Sequence, residues 1–123
     1  MVELLGGADI RQLADALGVV PTKKLGQNFV IDPNTIRKIV SSAKLEPNET
    51  VVEIGPGLGS LTLALLQATN KVTAIEIDER LAKQLPITAK EHGVADGNLQ
   101  IMNQDALQVL DIPGNPTKLV ANL

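Results

Sequence analysis

The residues of this chain with chemical potential gather around one short stretch, Glu53-Ile-Gly-Pro-Gly-Leu-Gly-Ser60, followed at a distance by Glu76 and Asp105. Gly55, Gly57 and Gly59 alternate. Such glycines permit backbone angles and a close ligand approach that side chains forbid. A helix starting just after them would turn its free N–H groups and positive dipole end toward that ligand. The dinucleotide fingerprint G-x-G-x-x-G would need glycine where Ser60 stands. Glu53, directly ahead of the loop, would repel a pyrophosphate but suits a ligand carrying an ammonium and a sulfonium. S-adenosylmethionine is such a ligand. Glu76 lies 21 positions beyond Gly55, where an acid can accept from both ribose hydroxyls. Dinucleotide sites share that feature, so it does not discriminate. Asp105 can accept from an adenine amine, with Ala106 leaving room for the ring. Taken singly, acids such as Glu76 and Asp105 are more often plain helix caps or surface acids; what joins them to the loop is their place at the ends of successive strands on one edge of the sheet.

The elements that would position these groups follow from periodicity. Thr50, Val51, Val52 and Ile54 suit a strand buried on both faces, and Leu58, Leu61, Thr62 and Leu65 recur at helical spacing. Lys71–Ile77 is predicted as a second strand, Leu81 to about His92 as a helix kinked or shifted by Pro86, Leu99–Asn103 as a third strand and Thr117–Leu123 as a fourth. Ahead of them, Asp9–Leu17 reads as a helix with Asp9 as N-cap and Gly18 past its end, and Asp32-Pro33 opens another that must stop before Pro47. Between the two, the prolines, the glycine and the lack of a sustained period indicate an extended, partly basic loop. Alternating strand and helix predicts an open parallel α/β sheet. The organisation expected is residues 1–49 as N-terminal helices with a loop, and 50–123 as the first part of a Rossmann-like ligand-binding unit, in one domain overall. The last strand has no turn or cap after it, which leads to the expectation of a truncated chain.

Bulk properties narrow the class. A chain of 123 residues matches one domain, the commonest size being about 100–150 residues. With 44% hydrophobic and 20% charged residues it is ordinary for a globular protein, and no apolar run approaches the ~20 residues of a membrane span. The absence of cysteine removes disulfides, thiolate metal sites and cysteine nucleophiles, and no metal or membrane partner is expected. The start lacks a basic n-region, so the cytoplasm is the default location. The net charge of −3 is uneven: residues 11–44 hold six bases against two acids, and from Val51 onward five bases face eight acids. That division suits contact with a polyanion at one part and a cation at another, though solvated helix faces explain it as well.

Five motifs in order carry a resemblance: K-K-L-G-Q-N-F at Lys23–Phe29, E-I-G-P-G-L-G-S-L-T at Glu53–Thr62, I-E-I-D at Ile75–Asp78, Q-D-A at Gln104–Ala106, and the terminal A-N-L. Over residues 10–123 the sequence resembles the ribosomal RNA adenine dimethyltransferases of the KsgA/RsmA type, and much of the pattern is shared with the Erm resistance methyltransferases. The resemblance implies a class I, Rossmann-like S-adenosylmethionine-dependent methyltransferase fold, here reaching its fourth strand, with more strands and a helical C-terminal domain in the full chain. It implies N6,N6-dimethylation of two adjacent adenosines in a loop of small-subunit rRNA, with the immature small ribosomal subunit as partner, a role in ribosome biogenesis, and a monomeric full-length protein. Asn28 and Val30 then fall in the segment that closes over the cofactor, where Gln27 either contacts it or braces the loop. Gly55 and Gly57 lie in the glycine loop, Glu76 takes the ribose, Asp105 the adenine, and Asn122 borders the methionine end and serves as the catalytic acceptor. Phe29, the sole aromatic, is either core or lid. The family reads N-L-P-Y where this chain stops at Asn122-Leu123; without the stacking aromatic, the 123 residues are expected to bind the cofactor but not to transfer its methyl group. The chemistry accounts for the acceptors: an adenine amine shares its lone pair with the ring, so its hydrogens must be oriented for the pair to attack in line. Unpaired adenines are the accessible targets. Two other readings stand beside this one: a non-catalytic nucleic-acid-binding relative of the same fold, and an NAD-dependent dehydrogenase domain, which Ser60 and Glu53 oppose.

Overall fold

The computed structural model describes residues 1–18, 33–109 and 116–121. Four parallel strands, β1 (Thr50–Ile54), β2 (Lys71–Ile75), β3 (Leu99–Met102) and β4 (Lys118–Ala121), lie in the order β3-β2-β1-β4. Parallel neighbours need crossover connections. Here α3 (Ser60–Ala68) links β1 to β2, and α4 (Glu79–Glu91) links β2 to β3. α1 (Gly7–Leu17) and α2 (Pro33–Ala43) precede the sheet.

The β-branched run of β1 behaves as expected of a central strand, with Thr50 to Glu53 buried and the pairing Val51↔Val72 and Glu53↔Ala74 on one side, Val51↔Lys118 and Glu53↔Val120 on the other. α3 is buried over Ser60–Leu66, nearly all round. Leu61, Leu63, Leu65 and Leu66 of this helix share a core with Val51, Val72 and Val120 of the sheet, Ile36 of α2 and Ala89 of α4. Val2, Leu5, Ile39 and Val40 pack against that core, so the N-terminal elements and the sheet bury one another.

Several local expectations shift. Asp9 is not the N-cap of α1; Gly6 is, and the Asp9 carboxylate reaches back from the third helical position to accept the Gly6 N–H at 2.8 Å. Gly18 does close the helix, in the left-handed conformation with φ 68°. α4 begins two residues before Leu81, because Asp78 caps it, accepting from the N–H groups of Arg80 and Leu81. It then runs through Pro86 as one helix, the proline exposed while Leu81, Ala82, Leu85, Thr88 and Ala89 stay buried. Burial of that stripe offsets the hydrogen bond that proline cannot make. β2 and β3 each stop short of their expected ends, at Ile75 and Met102, which leaves Glu76 and Asn103 on the turns beyond. His92, just past the end of α4, fastens the N-terminal segment: its carbonyl accepts the Glu3 N–H at 2.7 Å and its Nδ1 lies 3.0 Å from the Glu3 carbonyl. Asp32, expected to cap α2, and residues 122–123, expected to complete the fourth strand, lie outside the described residues.

Candidate functional site

From β1 the chain moves to β2 and β3 on one side and returns to β4 on the other. The point of reversal lies between β1 and β4, and in open parallel sheets ligands bind beyond the carboxyl ends of the strands at such a point. The glycine loop occupies the end of β1. Gly55, Gly57 and Gly59 have φ of 72°, 58° and 106°, values costly for other residues. Their surroundings differ. A Cβ on Gly55 would meet no atom of the described residues within 4 Å, whereas one on Gly59 would lie 2.6 Å from Leu85 Cδ1. Gly59 is therefore constrained by packing against the buried Leu85 of α4 as well as by its backbone, and among the described residues the space beside Gly55 is open.

Glu76, on the turn after β2, is 5% exposed. Its Oε1 accepts the Gly57 N–H at 3.1 Å and its Oε2 the Asp78 N–H at 3.0 Å. A carboxylate has about four acceptor positions, so each oxygen keeps capacity for one further donor. The turn is itself fixed: the Glu76 N–H donates to the Met102 carbonyl at 2.9 Å, and the Asn103 side-chain amide donates to the carbonyls of Glu76 at 2.8 Å and Ile77 at 3.3 Å. Ile77 stands 68% exposed beside this acid.

Glu53 is held differently. Its side chain is 1% exposed and accepts the hydroxyl of Thr62, a fully buried residue of α3. Burial pushes its carboxyl up to about 7, the Thr62 hydrogen bond opposes that rise, and the negative charge of Glu76 adds to it. Asp78, partly exposed, is lowered from its ordinary value: burial works against this, but the Arg80 side chain, the N–H groups of Leu81 and Arg80, and the Arg80 charge together outweigh it. Arg80 also donates to the Leu17 carbonyl at 3.0 Å, tying the end of α1 to the rim of the site. Asp105, half-buried after β3, accepts the Leu107 N–H at 3.0 Å and caps the short 3-10 helix Ala106–Gln108.

The structure thus brings Glu53, Gly55, Gly57 and Glu76 together at the ends of β1 and β2, with Asp105 beyond the end of β3. Gln27, Asn28, Val30 and Asn122 lie outside the described residues, as do Lys23, Lys24 and Phe29. Three further residues emerge only from the geometry. Thr62 is counted in the sequence merely as part of a helical stripe, although a hydroxyl in a helix otherwise buried by leucines needs a partner. Asn103 carries no motif and Ile77 enters only as a member of I-E-I-D, with no role of its own; the signal of both is position, just past the end of a strand. Among the described residues no group of three or more His, Asp or Glu side chains could hold a metal ion, and no helix is long and apolar enough to cross a membrane. A cavity of about 570 Å³ sits away from Glu76, within the helical layer between Leu5, Ile10, Ile36, Val40 and Ala64, and reaches the loop through Ser60.

Comparison with known proteins bears on this arrangement. The family model described as ribosomal RNA adenine dimethylase matches residues 21–123. The chain is similar to ribosomal RNA small subunit methyltransferase A of Leifsonia xyli subsp. xyli, at 56% identity over 123 residues, covering 99% of this chain and 44% of that protein. It therefore spans less than half the length of this curated relative. Among solved structures, the 23S rRNA methyltransferase ErmE is similar at 38% identity with a TM-score of 0.65, covering 76% of this chain and 36% of that one. Magnesium protoporphyrin IX methyltransferase from Synechocystis PCC 6803, solved with bound SAM, is 28% identical with a TM-score of 0.56, over 72% of this chain and 40% of its own.

Proposed function

We propose, for a chain that belongs to the ribosomal RNA adenine dimethylase family, that the turns after β1 and β2 hold S-adenosylmethionine. We propose further that the whole protein, of which this chain spans the part matched by its relatives, uses it to dimethylate N6 of two adjacent adenosines in small-subunit rRNA during ribosome biogenesis in the cytoplasm. The fold is the Rossmann-like α/β fold of class I S-adenosylmethionine-dependent methyltransferases.

The observation that carries the reading is Glu76. Its two oxygens, each already oriented by one backbone N–H, match two vicinal ribose hydroxyls, one donor to each oxygen. The open space over Gly55 accommodates the ligand's approach to the backbone. Asp105 is assigned the adenine amine, and Ile77, exposed beside Glu76, an apolar surface for the ring. S-adenosylmethionine would supply a methyl group on a sulfonium, already an activated leaving group. The chain's own residues would orient and shield. Glu53 places a carboxyl under the glycine loop, where a cationic ligand favours its ionised form. Gln27, Asn28 and Val30 are assigned to closure over the cofactor by the family pattern, and Asn122 to accepting from the target amine so that its lone pair is aimed at the methyl group.

The test uses the full-length protein with small-subunit rRNA lacking the modification and methyl-labelled S-adenosylmethionine. Label should appear in N6,N6-dimethyladenosine. Binding of the rRNA without any label transfer would instead favour the non-catalytic RNA-binding relative.

A further inference from the structure

We infer that Asn103 is a positioning residue that sets Glu76 for ribose recognition, an inference that rests on the reading of this site as one for S-adenosylmethionine. The backbone ladder between β2 and β3 reaches its last bond where the Glu76 N–H meets the Met102 carbonyl. Past that bond, among the described residues, the hydrogen bonds between the turn after β2 and the end of β3 come from one side chain. The Asn103 amide nitrogen carries two hydrogens and donates to the Glu76 carbonyl at 2.8 Å and the Ile77 carbonyl at 3.3 Å. It grips the peptide on both sides of the Ile77 N–H, and so holds the main chain from which the Glu76 side chain departs.

That carboxylate spans two turns, accepting from Gly57 on one and Asp78 on the other. Both bonds sit near 3 Å, so a small drift of the turn after β2 would lengthen one of them and swing the remaining acceptor positions away from a pair of hydroxyls. Asn103 is itself exposed. Water can replace its amide at the two carbonyls, and its removal therefore costs the fold little while it frees the turn. The expected signature is a loss of affinity confined to ligands that use Glu76.

The experiment titrates the 123-residue chain, wild type and Asn103→Ala, with S-adenosylhomocysteine and with its 2′,3′-dideoxy analogue, alongside thermal unfolding of both proteins. Asn103→Ala should weaken S-adenosylhomocysteine by roughly fivefold, the scale of one hydrogen bond, leave the analogue unchanged and leave the thermal midpoint near that of wild type. Asn103→Asp, similar in size but without the N–H donors, should repeat the loss. In a Glu76→Ala background, Asn103→Ala should cost nothing further, and this cycle decides the matter if the analogue is held too weakly to measure. Equal losses for both ligands, a further loss in the Glu76→Ala background, or no loss at all would overturn the inference while leaving the cofactor site in place. Failure of the wild-type chain to bind S-adenosylhomocysteine would overturn the underlying reading, and the inference with it.

Discussion

Two carboxylates stand at the ends of neighbouring parallel strands and are held in opposite ways. Glu53, the penultimate residue of strand β1, is closed off from solvent and supported by the Thr62 hydroxyl. Glu76, one step past β2, is supported by two backbone N–H groups from separate turns. Backbone N–H groups favour the charged form of a carboxylate and fix its direction without using up its acceptor capacity. Burial pushes the Glu53 carboxyl up to about 7, and the single Thr62 hydroxyl only partly opposes that rise. The difference separates a carboxyl built into the foundation of the glycine loop from one presented to whatever occupies the loop.

The largest expected effect concerns the foundation. Between the ordinary value of 4.5 and the folded value of about 7, the folded chain keeps a proton on Glu53 that the unfolded chain has released. Stability contributed by this group is therefore greatest at low pH, falls as pH rises through that window and levels off above it, by on the order of 3 kcal/mol in all. Urea unfolding at pH 5 and pH 8 should show the fall in wild type and a reduced one in Glu53→Gln. An undiminished pH dependence in the variant would erase the distinction between the two acids.

Next in size is ligand affinity. Glu76→Ala removes two charge-assisted hydrogen bonds and should weaken S-adenosylhomocysteine by about 100-fold, whereas Glu53→Gln, which removes only a nearby charge, should weaken it by about fivefold. Equal losses in the two titrations would break the comparison. Below the Glu76→Ala loss comes Thr62→Val, expected to cost about 1–2 kcal/mol of stability, more at pH 8 than at pH 5 because the ionised Glu53 depends more on its donor. A cost independent of pH would mean that the hydroxyl serves packing alone.

The contrast between these acids also marks what was legible in the sequence. The strand, loop and helix around residues 50–66 could be read because β-branched residues, alternating glycines and leucines at helical spacing all agree there, and the parallel sheet followed from repetition of that unit. Glu76 could be placed by its distance from the loop. The sequence also placed Glu53 at the strand end, but its partner lies across the sheet–helix interface at Thr62, and no local pattern connects the two. Asn103 is invisible for the same reason: it acts on carbonyls 26 and 27 positions away. The N-cap misread at Asp9 and the helix start placed at Leu81 are cases where several nearby residues could begin the helix and the local structure selects one. Pro86 shows burial of a stripe overriding a local breaker.

The central claim, that the loop after β1 and the acid after β2 together hold S-adenosylmethionine, is tested most directly by calorimetric titration of the 123-residue chain with S-adenosylhomocysteine and, separately, with NAD. Saturable one-to-one binding of S-adenosylhomocysteine with no heat from NAD is the predicted result. Binding of NAD in the absence of any binding of S-adenosylhomocysteine would contradict it.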